Sequence, residues 1–413
     1  MLATYKKSAT QAINPIFPPV APKVSQPQPR PNTAIPYPVY RQHTIPMPAG
    51  QLQLAGWREF LKTYPEQAVL VESILGICRF GARIGYLGPR GPMQIHQNLS
   101  CAEDAPDTVT ADIKAKLDNN RLECYPSIES LPEYFMASPL GHIDKSNGTK
   151  RRIHHLSFPN DEQASGSING GIPEDYGTIT YSGVQDAIMA IQKVGRSCLL
   201  VKRDFESAFR HMPISPFDSG LLGFHWETKY YSERFLPFGL RTTPFLFNLF
   251  AETFHWILAN ELAKDHLSAE IIHYHDDFLI ILPSHQNPVT YCSKFATICL
   301  AVGLRIKTAK NEEGMVVGFG GIELDTENMA IRLPIPKLAE ARMIVESATS
   351  LTSLSLLDLQ RITGYMNFVT VVVPLGRAFL HRLYNIELYF PWKEGRGRQF
   401  RLRISKEARL DLK

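Results

Sequence analysis

Not one aspartate or glutamate occurs in the first fifty residues of this 413-residue chain, although Lys6, Lys7, Lys23, Arg30 and Arg41 lie there. A Cys-x-x-Cys pair is also missing: the six cysteines stand apart at 78, 101, 124, 198, 292 and 299. Such spacing argues against a paired-thiol centre and reads as the reduced thiols of an intracellular protein, in cytoplasm or nucleus. No apolar run approaches the roughly 20 residues that a spanning helix requires, so no membrane partner is expected. No apolar segment follows Lys6 and Lys7, which argues against a secretory signal. Large charge excess is lacking too: the net charge is +4, so any polyanion would have to be held by local clusters of base. With 44% hydrophobic and 20% charged residues, the composition is that of a globular chain, long enough for two or three domains or subdomains. It shows no internal repeat and leaves the oligomeric state open.

Eleven of the thirty prolines fall in residues 1–50, so that stretch is expected to be a disordered, basic, extended arm, either a plain linker or a segment for a proline-binding partner. Order should begin near Gln51, with one or two helices to about Leu75 packing against the region that follows. Residues 80–196 hold short strand-like pieces broken by Gly, Pro and Asn. Residues 197–333 mix strands with a helix after Pro244, where Thr243 can cap and Pro244 suits the first turn. Beyond Pro336 the spacing is helical. Ser355-Leu356-Leu357-Asp358 reads as a capping box for a helix that Pro374 ends. Lys393 to Lys413 form a basic tail.

The chemistry concentrates in IIHYHDDFLIIL, residues 271–282, where Asp276 and Asp277 separate two apolar runs of strand length. The polar centre suits a tight reversal that exposes carboxylates at a hairpin tip. Asp is a common turn residue, and alone the pair would read as a solvated turn. A third carboxylate, Asp204, ends the apolar run in SCLLVKRDFESAFRHMPI. Three carboxylates at the ends of two buried strands are a minimal ligand set for two divalent cations, since hard cations take oxygen ligands.

Between them lies LPFGLRTTPFLFN at 236–248. In order, these motifs resemble the palm of a retroelement reverse transcriptase: Asp204, the Pro-Phe-Gly loop, then Tyr274-His275-Asp276-Asp277. GARIGYLGPRG at 81–91, GTKRRIHHLSFP at 148–159, LLGFHWETKYYSERFLPFGL at 221–240 and LQRITGYMNFVTVVVPLGRAFLHRLY at 359–384 are similar to the DIRS-like, tyrosine-recombinase class of retrotransposons. The likeness covers roughly residues 55–413. It implies an α+β right-hand polymerase fold: N-terminal helices and fingers over 51–196, a palm of antiparallel sheet backed by helices over 197–333, and a helical thumb over 334–390. The basic tail, 391–413, would lead toward a ribonuclease H domain that this chain is expected to lack.

The activity implied is RNA-directed DNA synthesis from a primer 3′-hydroxyl with deoxynucleotides on an RNA or DNA template. Two Mg²⁺ ions, or Mn²⁺, would be held by Asp204, Asp276, Asp277 and the Phe205 backbone carbonyl. By the same resemblance Phe209 would pack below the sugar and exclude a 2′-hydroxyl, with the Ala208 backbone N–H near the 3′-hydroxyl. Phe238 and Gly239 would lie against the incoming base pair. Arg151 would take the triphosphate, with Lys150 on the opposite strand face and Lys145 in the preceding turn as further cations. Lys310 would stand near the leaving pyrophosphate. Gly318, Phe319 and Gly320 resemble a primer-grip hairpin, although glycines there could equally be strand kinks.

Tyr274 is followed by His275 where an apolar residue is more usual, and its charge would be expected to change near neutral pH, modulating activity. Two other readings stay open at this stage. One is a catalytically silent, nucleic-acid-binding remnant of the same fold. The other is a zinc hydrolase using His273 and His275, whose His-x-His spacing can bind zinc from one side of a strand.

Overall fold

The computed structural model describes residues 52–64, 68–144, 148, 150–159, 166–389 and 400–411. The expected arm at 1–50, Lys145 and the first part of the tail, 391–399, lie outside the described residues.

Four antiparallel strands form the central sheet, in the order Glu312–Gly314, Leu199–Asp204, Asp277–Leu282 and Glu270–Tyr274. Strand alternation explains why Asp277–Leu282 is almost wholly apolar, because both of its faces are covered. Phe278, Ile280 and Leu282 pack with Phe250, Phe254 and Phe295 from the helices Thr243–Lys264 and Pro288–Val302. Leu279 and Ile281 face Ile188 and Ile191 of the helix Val184–Val194, together with Val317, Phe319 and Ile322. Phe205 sits at the end of its strand among Phe247, Phe254, Phe278 and Phe295, with centroids 5.2–6.3 Å away. Truncating Phe254, which is fully buried in this cluster, would cost about 3–5 kcal/mol.

The long helix starts one residue earlier than its sequence suggests: Thr242 is the N-cap and Pro244 lies in the first turn. Thr243 does not cap; its hydroxyl donates to the Pro237 carbonyl at 2.9 Å and ties the Pro-Phe-Gly loop to the helix. The expected N-terminal helices are present, at Leu54–Phe60 and Ala68–Phe80. Their partner differs from expectation. Trp57 meets Phe250 edge-on at 5.0 Å and donates its indole N–H to the Val302 carbonyl, so the first helix docks on the helices behind the central sheet. Its apolar Trp finds the largest buried apolar surface there rather than in the short strands of 80–196.

Those short strands form a five-stranded sheet, ordered Gln94–Ile95, Met136–Ala137, Gly223–Trp226, Lys229–Glu233 and Leu122–Tyr125. Strands from 223–233 thus complete a sheet begun by 94–137. A separate hairpin pairs Leu140–Asp144 with Lys150–His154.

In the C-terminal region, Ser355 and Asp358 form the expected capping box at the start of Leu356–Val369. That helix stops five residues before Pro374, which instead opens the 3₁₀ segment Pro374–Leu380. Arg401–Arg403 pairs with Ser353–Ser355, and Ile404 and Ala408 are buried with Leu359 and Leu383. The end of the basic tail is therefore part of the helical layer's own core. Among the described residues no helix is long and apolar enough to cross a membrane.

Candidate active site

Register brings the carboxylates together. Asp277 is the Cα partner of Asp204 on one side and of Tyr274 on the other, so His275 and Asp276 form a two-residue hairpin turn. Such turns favour positive φ at the first central position. His275 takes it, at φ +55°, where glycine would be unstrained. The Phe205 N–H donates to the Asp276 carbonyl at 3.2 Å, which locks the turn to the end of the Asp204 strand. Antiparallel alternation points the Phe205 carbonyl to that same side.

Asp204 is only 2% exposed, yet it accepts an ion-paired hydrogen bond from Lys310 Nζ at 2.6 Å. Asp277 Oδ1 is buried without a hydrogen bond, and the nearest ammonium, that of Lys202, is 3.9 Å away. Burial and the neighbouring Asp204 push the Asp276 carboxyl above the usual range. Burial, only partly offset by Lys202, and contact with the Asp204 carboxyl push Asp277 up to about 6. Such crowding of partly desolvated acids, incompletely neutralised, is the arrangement that a cation relieves. Among the described residues no group of three or more His, Cys, Asp or Glu is arranged to hold a metal ion as it stands. Lys310 here provides the positive charge. The donor set is nonetheless all oxygen, with one orphaned buried acceptor, and so fits a hard divalent cation rather than zinc.

The His-x-His reading fails on geometry. His273 is buried, stacked on Phe278 at 4.9 Å, with its Nδ1 2.9 Å from that of His255. His275 points elsewhere, 4.3 Å from Tyr181 and 6.2 Å from Phe209. Burial lowers the His275 pKa below the ordinary imidazole value. The turn leaves the ring half-buried, which a strand-only reading could not anticipate. Tyr274 is 42% exposed and also touches Tyr181, at 5.1 Å.

Phe209 lies on the 3₁₀ segment Ala208–His211, whose entry is made by Ser207 at φ +53°. Ala208 is buried and its carbonyl accepts from His211 Nδ1 at 3.1 Å. Phe209 contacts Phe238, centroid to centroid 5.1 Å, and Phe238 is 56% exposed on the cleft. Gly239 has φ +91°, and a Cβ there would come 3.1 Å from the His154 carbonyl. The Arg151 guanidinium stands 5.7 Å from the centre of the Phe238 ring. Arg151, Lys150, Phe238 and Gly239 line one cleft of about 450 Å³. Lys150 is held within its own hairpin, 3.2 Å from His142 and 3.7 Å from Asp144.

The Val316–Phe319 and Ile322–Asp325 strands are joined by Gly320 and Gly321, at φ +56° and +80°. Two positive φ values identify a type I′-like hairpin, so these glycines make the turn rather than kink a strand. Gly318 N–H donates to Glu312 and the Phe319 ring is buried. Sequence reasoning missed Tyr181, which belongs to a loop with no periodicity and no motif. It also missed Glu233, whose partners are described below.

A crowded acidic hairpin at the end of a helix-backed antiparallel sheet, facing an aromatic and basic cleft, defines a right-hand polymerase palm. Residues 153–342 match the family model described as reverse transcriptase (RNA-dependent DNA polymerase), just under half of the chain. Protein P of duck hepatitis B virus (strain China) is 27% identical over 173 residues, 41% of this chain and 21% of that protein. Protein P of heron hepatitis B virus is 27% identical over 193 residues, 44% of this chain and 24% of that protein. The chain therefore spans about a fifth to a quarter of those relatives. Among solved structures, a foamy viral protease-reverse transcriptase in complex with RNA/DNA hybrid aligns with TM-score 0.55 at 17% identity, over 90% of this chain and 46% of that one. The foamy viral protein in complex with double-stranded DNA gives 0.53 at 16% identity, over 90% and 60%. At these identities the likeness is one of fold: α+β, right-hand polymerase.

Proposed function

We propose that this chain is an RNA-directed DNA polymerase that extends a primer 3′-hydroxyl with deoxynucleotides on an RNA or DNA template. The observation that carries the reading is the register placing Asp277 opposite Asp204 with Asp276 at the hairpin tip. The family match over 153–342 supports it. The DIRS-like motifs of the sequence support placing it among retrotransposon enzymes, and six unpaired cysteines support an intracellular setting.

Asp204, Asp276, Asp277 and the Phe205 carbonyl are the residues that would hold two divalent cations, Mg²⁺ or Mn²⁺. When bound, such ions supply charge neutralisation and activation of the attacking hydroxyl. Lys310 can exchange its bond to Asp204 for a phosphate oxygen, keeping positive charge beside the leaving group. Arg151 lines the cleft with its guanidinium 5.7 Å from the centre of the Phe238 ring and, among the described residues, in no ion pair, suited to a triphosphate. Phe209, backed by Phe238, offers a rigid apolar wall where a 2′-hydroxyl would lose its water. The test is primer extension on an RNA template with Mg²⁺, comparing the parent with Asp276→Asn. Extension that disappears in the variant supports the polymerase. Binding of primer–template without extension by either protein would instead identify a silent remnant.

A further inference from the structure

Glu233 is fully buried, and it ends the strand Lys229–Glu233 between two arginines from different parts of the chain. Arg210 Nη1 donates to its Oε2 at 2.5 Å and Arg152 Nη2 to its Oε1 at 3.1 Å. Arg210 directly follows Phe209 and also donates to the Phe235 carbonyl. Arg152 directly follows Arg151, is itself buried, and extends the network through Asp112 at 2.6 Å. Burial alone would raise the Glu233 pKa, but Arg210, Arg152 and Lys116 hold it well below the usual carboxylate range. The carboxylate is thus a permanent anion with both oxygens in use.

Alternation sends Arg152 inward and Arg151 to the cleft. The inward residue therefore fixes where the outward one stands. Among the described residues, six cationic side chains and two carboxylates line this cleft, a basic surface that suits a nucleoside triphosphate rather than a neutral ligand. We propose that Glu233 is a positioning residue for the nucleotide: through Arg152 and Arg210 it sets the spacing between Arg151 at the triphosphate end and Phe209 at the sugar end. The claim rests on the polymerase reading for its ligand, and deepens it by naming what holds the two ends in register.

The test uses the full chain with primer–template, titrated with dGTP in the presence of Ca²⁺, alongside extension kinetics with Mg²⁺. Glu233→Gln should weaken dGTP binding by roughly tenfold or more, raising KM with kcat moved less than about threefold, because misplacement of a positioning group is felt in ligand registration. Primer–template affinity should stay within about twofold if Glu233 acts on the nucleotide alone. Arg152→Lys, which keeps the charge but cannot span Asp112 and Glu233 with a fork, should weaken dGTP binding by about threefold and carries the test if Glu233→Gln does not fold. Unchanged dGTP affinity in a folded variant, an equal loss of primer–template affinity, or a parent that binds no dGTP overturns the proposal. A parent that binds dGTP but never extends a primer sinks the polymerase reading alone, because the dGTP comparison is still read.

Discussion

Two clusters of carboxylates, one around Glu233 and one around Asp204, are treated in opposite ways. Around Glu233, each oxygen has its own guanidinium and the acid is held far below its usual pKa. Around Asp204, three carboxylates share the nearby ammonium groups of Lys310 and Lys202, one oxygen has no hydrogen bond, and two of the acids are pushed up. The first group is neutralised by the chain itself and can serve only as framework. The second is left short of positive charge, at a hairpin tip beside an open cleft, which is how a site for an incoming cation differs from a structural ion pair.

The largest effect should come from removing a carboxylate of the open group. Asp204→Asn or Asp276→Asn is expected to lower primer extension by on the order of 10³-fold, while leaving the fold as stable or slightly more so because like-charge crowding is relieved. Glu233→Gln should do the reverse to stability, costing about 3–5 kcal/mol by leaving two buried arginines short of an anion. Chemical denaturation of the three variants beside the parent checks the contrast. If Asp276→Asn were as destabilising as Glu233→Gln, the acidic hairpin would be framework too.

Acid should separate the same two groups. Asp277 is raised from 3.8 to about 6, so its contribution favours the fold fully below its unfolded value and is lost as pH rises through about 6. Glu233 is lowered, so its contribution is complete above its ordinary 4.5 and is lost only as pH falls through its own low value. Between pH 4 and 7 the melting temperature of Asp277→Asn should therefore climb relative to the parent, and addition of Mg²⁺ should stabilise the parent more at pH 7 than at pH 5. A pH-independent gap between parent and variant would show that Asp277 is already satisfied.

The sequence made the open group legible and hid the closed one. Asp276 and Asp277 interrupt an apolar run, and an interruption of that kind is visible without any contact map. Lys310 could be picked only through a family likeness, and the structure brings its ammonium to Asp204. Glu233, by contrast, sits in a run of Tyr, Ser, Glu and Arg that looks like a solvated strand end, and its partners are 23 and 81 residues away. Nothing local says that it is buried. The docking of Trp57 against Phe250 escaped for the same reason: helical spacing shows that a face is apolar but not which neighbour covers it. Positive φ at His275 was equally hidden, since it follows from hairpin register and not from residue type.

A smaller expected effect lies on the neighbouring glycine hairpin. Gly321 has φ +80°, and a Cβ there would meet Lys337 Nζ at 2.2 Å, the movable end of a side chain. Gly321→Ala should therefore cost mainly the left-handed backbone penalty, about 1–2 kcal/mol, with little steric addition. Denaturant unfolding reads this directly, and a cost well above that range would show that Lys337 cannot move aside.

His275 gives the finest division between framework and site, because its backbone and its ring pull in different directions. A non-glycine residue at φ +55° is strained, so His275→Gly should stabilise the protein by about 0.5–1 kcal/mol if backbone strain is the only term. The ring, however, packs against Tyr181 in a tilted contact, centroids 4.3 Å apart, next to the hairpin residue Asp276. Losing that contact should loosen the tip and slow extension by about three- to tenfold without weakening the fold. Tyr181→Ala should slow the parent similarly but add little in the His275→Gly background, since the contact is already gone. Additive slowing in the double variant would separate Tyr181 from the hairpin, and would leave the strain at His275 without a function.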